Sequence, residues 1–424
     1  MYSLSRRVLI MLTGSVLISL LVVVTVYGVY GAPASQEIGH IAFDNRIEDL
    51  PCDRDGSDCG DIARASWDYE LKQVHVVFRH GQRTPADTYP TDPLVNQTFA
   101  PYGWGQLTNY GKNTLYEIGS WLRRRYGNFL GKMFIPDKIH AQSTGVSRTQ
   151  MSIELVLASL YPPQGTAQEW NHDLNWQPIP FISEPLDQDT LLLVRKSCPR
   201  YHEAHNAVLE SAEIQQIMSD NQELFKNLTK LTGMDIKTPD DVQSLYSTLK
   251  AEYEFGLILP EWTKDYYPEK LLPLTRLSYI LNVYDNELIK LKGGPFLKKT
   301  LSEWESVMAD EFSPKNRKIF IYAGHDSTVV NVLSAFNVWH EQFPNYAIMG
   351  VFELYKDRRT GQFVVRVYQK NVGEQLTPLK IPGCSKYCPV EQLRSLLNSH
   401  IPIDMNQDCK AHSAGFEEPP PRGP

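Results

Sequence analysis

The run Gln73-Val74-His75-Val76-Val77-Phe78, followed directly by Arg79-His80-Gly81-Gln82-Arg83-Thr84-Pro85, restricts what this chain can fold into more than any other stretch. The first six residues read as a buried strand. The next seven put two arginines and a histidine where that strand ends and the chain turns. That is a poor place for charge unless an anion meets it there. In an open α/β sheet, ligands bind in the crevice at the carboxyl ends of the strands, and guanidinium forks match phosphate oxygens. The pattern therefore predicts an α/β fold with a phosphate site centred on His80.

The rest of the chain supplies the alternation such a fold needs. Thr108 to Leu130 has helical spacing, with Leu115, Ile118, Gly119 and Leu122 on one face, and Lys138 to Gln142 is a second strand candidate. Ser147 to Leu160 is a second helix with Met151, Leu155, Val156 and Ala158 as its apolar stripe. This β-α-β-α order argues for a sheet flanked by helices on both faces. The Arg123-Arg124-Arg125 run on the first helix reads as a solvated face rather than a binding patch. From 163 to 300 no convincing strand occurs, and Tyr201–Lys230, Pro239–Glu254 and Thr263–Leu291 are helical, so this stretch predicts an inserted, smaller, mainly α-helical cap domain. The discontinuous α/β domain then comprises 67–162 and 301–409. It resumes with the strand Lys318–Ala323, a helix from about Ser327 to Asn337, and a hairpin of Ala347–Tyr355 and Phe363–Gln369 turning at Asp357–Gly361. The proline-rich tail, 410–424, is expected to be disordered.

The N-terminus points outside the cytosol. Val8 to Tyr30 is a 23-residue uncharged run behind Arg6 and Arg7, long enough to span a bilayer. The flanking arginines orient residues 1–7 to the cytoplasmic side. Residues 8–30 are either an uncleaved signal anchor, making a single-pass type II membrane protein, or a cleaved signal peptide, making a secreted one. Residues 31–66 read as a stalk. Sequons at Asn96 and Asn227 are candidate glycosylation sites behind such a segment. The even cysteine count (Cys52, Cys59, Cys198, Cys384, Cys388 and Cys409) fits a disulfide framework with 15 formal connectivities. A net charge of −7 gives no nucleic-acid footprint.

A second motif, Ala323-Gly324-His325-Asp326-Ser327-Thr328, also follows an apolar strand candidate, and His325 lies 245 residues beyond His80. By itself a His-Asp pair is a helix cap. Together with the first motif it resembles the histidine acid phosphatase family, branch 2 of the histidine phosphatase superfamily, whose members carry an RHGxRxP signature and a later HD pair. The resemblance covers about 70–410 and includes Tyr102–Thr108, Ser143–Thr149, Trp176–Pro180 and Pro382–Pro389, which look like the group holding the prostatic and lysosomal acid phosphatases. It implies an acid phosphatase that hydrolyses phosphate monoesters to an alcohol and inorganic phosphate through a phosphohistidine, with no metal and no cofactor. His80 would be the nucleophile and Asp326 the proton donor. Arg79, Arg83, Arg148 and His325 would bind phosphate, and Trp262 would border the pocket. Positions 145 and 147, often acidic in relatives, are Gly145 and Ser147 here.

Elementary chemistry fits these roles. Phosphoryl transfer needs positioning and neutralisation of oxygens above all, and neighbouring positive charge keeps an imidazole neutral. A carboxyl group that must carry a proton favours acid pH. The resemblance also implies the disulfides Cys198–Cys409 and Cys384–Cys388, with Cys52–Cys59 as the remaining pair. It suggests a homodimer contact at Trp176, although Ile182 replaces the histidine that accompanies it. Tyr201-His202-Glu203-Ala204-His205 has the wrong histidine spacing for a zinc helix. The substrate is a small phosphomonoester or a phosphoprotein. The alternatives are a substrate-restricted phosphatase of the same family (phosphoxylose, lysophosphatidate or inositol phosphate) and a non-catalytic secreted binding protein. The compartment is the secretory pathway, lysosome, cell surface or exterior.

Overall fold

The computed structural model describes residues 68–420. The segments 1–7, 8–30 and 31–66, the Cys52–Cys59 pair and residues 421–424 lie outside the described residues.

In chain order the elements are β1 (Tyr69–Arg79), α1 (Asn109–Leu130), β2 (Ile139–Ser143), α2 (Ser147–Leu160), β3 (Ile182–Ser183), α3 (Pro199–Leu209), α4 (Ala212–Asp220), α5 (Gln222–Thr232), α6 (Pro239–Glu254), α7 (Leu272–Leu281), α8 (Asn286–Lys292) and α9 (Gly294–Met308). There follow β4 (Ile319–Gly324), α10 (Asp326–Ala335), β5 (Met349–Asp357), β6 (Phe363–Lys370), β7 (Thr377–Leu379), β8 (Cys388–Pro389), α11 (Val390–Leu396) and α12 (Met405–Asp408). The strands form one sheet in the order β3-β2-β4-β1-β5-β6-β7, with β8 also on β6. β3, β2, β4 and β1 run parallel, whereas β5 and β6 are antiparallel.

Alternation along β1 covers both faces of the sheet. Val74, Val76 and Phe78 join Leu115, Leu122, Ile153 and Val156 of α1 and α2 in one core. Val77 joins Phe296 and Trp304 of α9 and Val329 and Leu333 of α10 in the other. The α1–α2 contact is close at Gly119, where a Cβ would fall 2.1 Å from the Val156 carbonyl oxygen.

The helical stretches expected between 201 and 291 are more broken than their periodicity suggests. Ser211 and Asp285 accept hydrogen bonds from the first turns of α4 and α8, so each starts a new helix. The α6 start is fixed by a reciprocal Thr238–Asp241 capping box with Pro239 at the first position. The stretch 163–300 also departs from a purely helical insertion. Ile182–Ser183 joins the sheet beside β2, and Phe296 and Leu297 of α9 belong to the sheet-side core. The helices of this stretch gather around two further cores, one with Leu228, Leu245, Leu249 and Leu271, which Tyr89, Val330 and Phe343 also enter, and one with Ile214, Leu281 and Leu288.

Two expectations are corrected. Arg125 is not on a solvated face: its side chain is 5% exposed and donates to the fully buried Glu353 of β5 at 2.9 Å. Tyr126 and Tyr355 hydroxyls donate to the same carboxylate, each at 2.6 Å. A carboxylate inside a sheet needs such partners, and only Arg124 of the triplet is exposed. The tail is not disordered over its described part, 410–420. The Glu203 carboxylate accepts the backbone N–H groups of His412 and Ser413, and Glu418 accepts that of Cys198. Disulfides join Cys198 to Cys409 and Cys384 to Cys388. Asn96 is exposed and Asn227 is half-buried on α5.

Replacing Glu353 by Gln removes the charge that balances Arg125. Urea unfolding of Glu353→Gln is expected to show a loss of about 3 kcal/mol or more, because the arginine stays buried and uncompensated. A loss under about 1 kcal/mol would mean that the pair contributes no more than a surface ion pair.

Candidate active site

The parallel pairing of β1 with β4 brings the two motifs together. Arg79 lies in register with Gly324, and the His80 N–H donates to the Gly324 carbonyl at 2.9 Å. After β1 the chain turns against the first turn of α1. Gly81 has no room for a side chain there, since a Cβ would sit 2.6 Å from the Gly111 carbonyl oxygen. Arg148 is the second residue of α2, which follows β2, and His325 and Asp326 open α10. All six expected residues thus sit at the carboxyl ends of three adjacent parallel strands.

His80 is 2% exposed. Its Nδ1 lies 2.8 Å from the Gly81 carbonyl oxygen. A carbonyl only accepts, so Nδ1 carries the proton and Nε2 keeps its lone pair. Burial pushes the imidazole pKa well below its ordinary value, and Arg148, Arg79, His325 and Arg83 push it further. His80 is therefore neutral, with Nε2 available as a nucleophile.

His325 is tied in the same directional way. Arg148 Nη2 is 3.4 Å from His325 Nδ1, and a guanidinium only donates, so Nδ1 accepts. The proton is then on Nε2, which donates to Thr144 Oγ1 at 3.0 Å. Thr144 Oγ1 passes a hydrogen bond to Thr149 Oγ1 at 2.7 Å, and that hydroxyl donates to the Val146 carbonyl. Burial first, then Arg148, hold the His325 pKa down at about 3.

The three arginines are buried around this pair, at 2%, 9% and 6% exposure for Arg79, Arg83 and Arg148. Arg79 donates to the Pro344 carbonyl, and its guanidinium lies over the Tyr346 ring at 4.3 Å. Arg83 Nη1 donates to the Thr84 carbonyl at 2.9 Å. The Nε–H of each arginine is buried without a partner. Burial, aided by Arg83, lowers the Arg148 pKa to about 10. Such crowding of buried cations with unused donors is what an anion relieves.

Asp326 is the counter-charge present. Its Oδ2 meets Arg79 Nη2 at 3.0 Å and accepts from the Tyr279 hydroxyl at 3.1 Å, while Oδ1 accepts the Ser327 N–H at 2.8 Å. Burial raises its pKa, but Arg79, His325 and these donors outweigh it and hold the carboxyl below its ordinary value. These contacts favour the ionised form of Asp326, whereas the expected role needs it protonated at the moment of reaction.

Other expected residues are placed differently. Trp262, partly buried, packs edge-on to Tyr89 at 6.1 Å against the cluster of Leu228, Leu245 and Leu249. It does not line the cleft of ≈ 200 Å³ beside the motif, which is formed by Gln82, Lys250, Glu254, Asn345 and Tyr346 among others. Gly145 could carry no acidic side chain, as a Cβ would fall 2.7 Å from the Glu184 carbonyl oxygen. Ser147 is exposed and donates to Gln106. Sequence reasoning missed Tyr279, Tyr346 and Thr144. Thr144 lies inside the Ser143–Thr149 segment already singled out, but neither tyrosine stands out in its local pattern. A larger cavity of ≈ 610 Å³ is at the opposite end of the sheet, around Lys72, Arg317 and Lys318, and includes none of these residues. Two of its cations serve backbone carbonyls, Lys318 that of Phe129 and Arg317 that of Asp137.

Comparison with known proteins agrees with this geometry. The family model described as histidine phosphatase superfamily (branch 2) matches residues 70–370. The chain is 36% identical to venom acid phosphatase of Apis mellifera over 344 residues, covering 80% of this chain and 88% of that one. It is 35% identical to prostatic acid phosphatase of Homo sapiens over 347 residues (80% and 88%) and 33% identical to human lysosomal acid phosphatase over 351 residues (81% of each). Among solved structures, Hafnia alvei phytase shares the fold with a TM-score of 0.58 at 18% identity, over 81% of this chain and 98% of that one.

The depressed imidazole pKa values have a direct readout. In nitrogen-15 NMR of the phosphate-free enzyme, the His80 and His325 ring signals are expected to stay at neutral positions between about pH 5 and 7, where an ordinary histidine titrates. A His80 midpoint near 6.5 would remove the electrostatic account of its neutrality.

Proposed function

The chain belongs to the histidine phosphatase superfamily, branch 2, and is an acid phosphatase, a phosphoric monoester hydrolase; we propose that its chemistry runs through a phosphohistidine on His80. The observation that carries this reading is the set of three buried guanidiniums with unused Nε–H donors around a neutral histidine. Arg79, Arg83 and Arg148 hold the phosphoryl oxygens. Helix α10 begins at the same place, and its first N–H groups favour negative charge there. His80 Nε2 forms a bond to phosphorus as the bond to the leaving oxygen breaks, and Asp326 gives that oxygen its proton. Asp326, now a carboxylate, takes a proton from water as the water oxygen attacks phosphorus. The P–N bond breaks and inorganic phosphate leaves. His325 accepts a hydrogen bond from Arg148, and it contacts phosphate once the dianion favours its protonation.

The substrate is a small phosphomonoester. Inositol polyphosphate fits less well, because the cleft beside the motif carries Glu254 and Glu374 against Lys250 alone, and Lys250 is already paired with Glu254. The protein works outside the cytosol, as the disulfides Cys198–Cys409 and Cys384–Cys388 favour an oxidising compartment. Residues 8–30 are proposed as a type II anchor and Asn96 and Asn227 as glycan sites. No helix among the described residues is long and apolar enough to cross a membrane. Trp176 and Ile182 are 40% and 53% exposed near the β3 edge, which is the face proposed for a homodimer.

Acid quench of turnover with a phosphorus-32 monoester is expected to trap label on the wild type and none on His80→Ala. Asp326→Ala should slow alkyl phosphates by about 10²–10⁴-fold and aryl phosphates with good leaving groups far less. Label trapped on His80→Ala, or equal slowing of both substrate types by Asp326→Ala, would overturn the respective role.

A further inference from the structure

Tyr279 has no place in the chemistry so far, yet it reaches the acid from the helical insertion. It lies on α7, is 4% exposed, and its hydroxyl donates to Asp326 Oδ2 at 3.1 Å. Gln243 Nε2 of α6 donates to that hydroxyl at 3.1 Å, fixing its remaining valence. Building on the reading of Asp326 as proton donor, we propose that Tyr279 is the positioning residue that aims Asp326 and sets the pH at which it carries its proton.

The argument is one of counting donors. Asp326 has three: Ser327 N–H on Oδ1, and Arg79 and Tyr279 on Oδ2. Ser327 is the next residue and cannot leave. Arg79 is one of the guanidiniums around His80, and an arriving phosphoryl group competes for it. Tyr279 is then the donor that still holds Oδ2, the oxygen on the side of the phosphate site. With Gln243 Nε2 donating to its oxygen, the phenol turns its own proton to Oδ2, so it is a donor that favours the ionised carboxylate. The charged and titratable groups facing Asp326 are Arg79 from β1, His325 from its own helix start, Arg148 from α2 and Tyr279 from α7. Burial and the adjacent Asp326 push the phenol pKa well above its ordinary value, so the hydroxyl keeps its proton.

A tyrosine that merely fills space would leave no mark on proton transfer. The test is kcat and KM against pH for an alkyl phosphate and for p-nitrophenyl phosphate, with wild type, Tyr279→Phe, Gln243→Leu and Asp326→Ala. Phe keeps the ring. Losing a donor destabilises the ionised carboxylate, so the proton is held to higher pH. The alkaline limb of kcat for the alkyl phosphate is expected to move up by about one pH unit in Tyr279→Phe. The alkyl kcat at the optimum should fall about tenfold, as the acid is less well aimed, with KM within about twofold and the aryl phosphate nearly unaffected. Gln243→Leu, which weakens the phenol as a donor, should move the same limb the same way by less. An unmoved limb, or equal loss on both substrates, overturns the role of Tyr279. If Tyr279→Phe does not fold, an unmoved limb in Gln243→Leu overturns it. Should Asp326→Ala fail to separate the two substrates, the acid assignment itself falls. If it separates them while Tyr279→Phe does not, only the present inference falls.

Discussion

The site depends on one backbone pairing, that of β1 with β4 from Val74↔Ile319 to Arg79↔Gly324. It carries two segments nearly 250 residues apart to one edge of the sheet and ends both there. Register is decisive, because side chains alternate between faces. Val74, Val76 and Phe78 must enter the α1–α2 core for Arg79 to emerge on the side of α10, beside Asp326. The hydrogen bond from His80 N–H to the Gly324 carbonyl extends the ladder one residue beyond the strand. His80 is thereby held by main-chain pairing to β4. Arg79 is held in turn from the third strand, through its N–H to the Ile348 carbonyl just before β5.

That placement creates an electrostatic problem whose solution accounts for the pH behaviour. Three arginines and two histidines are buried against a single carboxylate, Asp326. The arginines keep their charge, so the histidines give up theirs, both with pKa values below the ordinary one. Carbonyl groups of Pro344 and Thr84 and the rings of Tyr346 and Phe343 stabilise the guanidiniums without neutralising them. Positive charge is left over for an incoming dianion. The same field explains how one site keeps a nucleophile unprotonated while its reaction calls for an acid. Burial first, and then the cations, depress the imidazoles, whereas the cations' hold on Asp326 runs mainly through Arg79, for which a phosphoryl group competes.

How much of this was legible in the sequence follows from where each contact comes from. Strands and motifs were readable because β1 and β4 are buried on both faces and carry continuous apolar runs, with charge beginning where burial by helices ends. The six site residues lie in two short motifs and one helix start, so local context found them. Arg125 was misread because its partner, Glu353, is 228 residues away, and a carboxylate in an otherwise apolar strand does not announce what neutralises it. The described part of the tail was misread for the same reason: its backbone is held by Glu203 and Glu418, two acids that look ordinary in sequence. Trp262 is partly buried and packs against the Leu228, Leu245 and Leu249 cluster, a contact that local sequence does not announce. Tyr279 carried no signal because one tyrosine among the apolar residues of α7 looks like packing.

On the proposed roles, the contacts divide the residues assigned to phosphorus from those beside the assigned acid. The three guanidiniums and the ring platform of Tyr346 and Phe343 come from β1, the loop after it, α2 and the segment before β5, all in the sheet-bearing half of the chain. The insertion reaches this cluster at few points. Tyr279 of α7 touches Asp326, the Glu254 carbonyl at the end of α6 accepts from Gln82, and Lys250 lies over Phe343 and Tyr346 while paired with Glu254. Each faces Asp326 or the cleft beside the motif, which under the proposed mechanism is where the departing oxygen and its carbon skeleton go. Substitutions in α6 and α7 can therefore alter which alcohol is released, and at what pH, without disturbing the arginines. The converse does not hold. The arginines are buried and share one field with both histidines, so a change at one of them reaches the whole cluster.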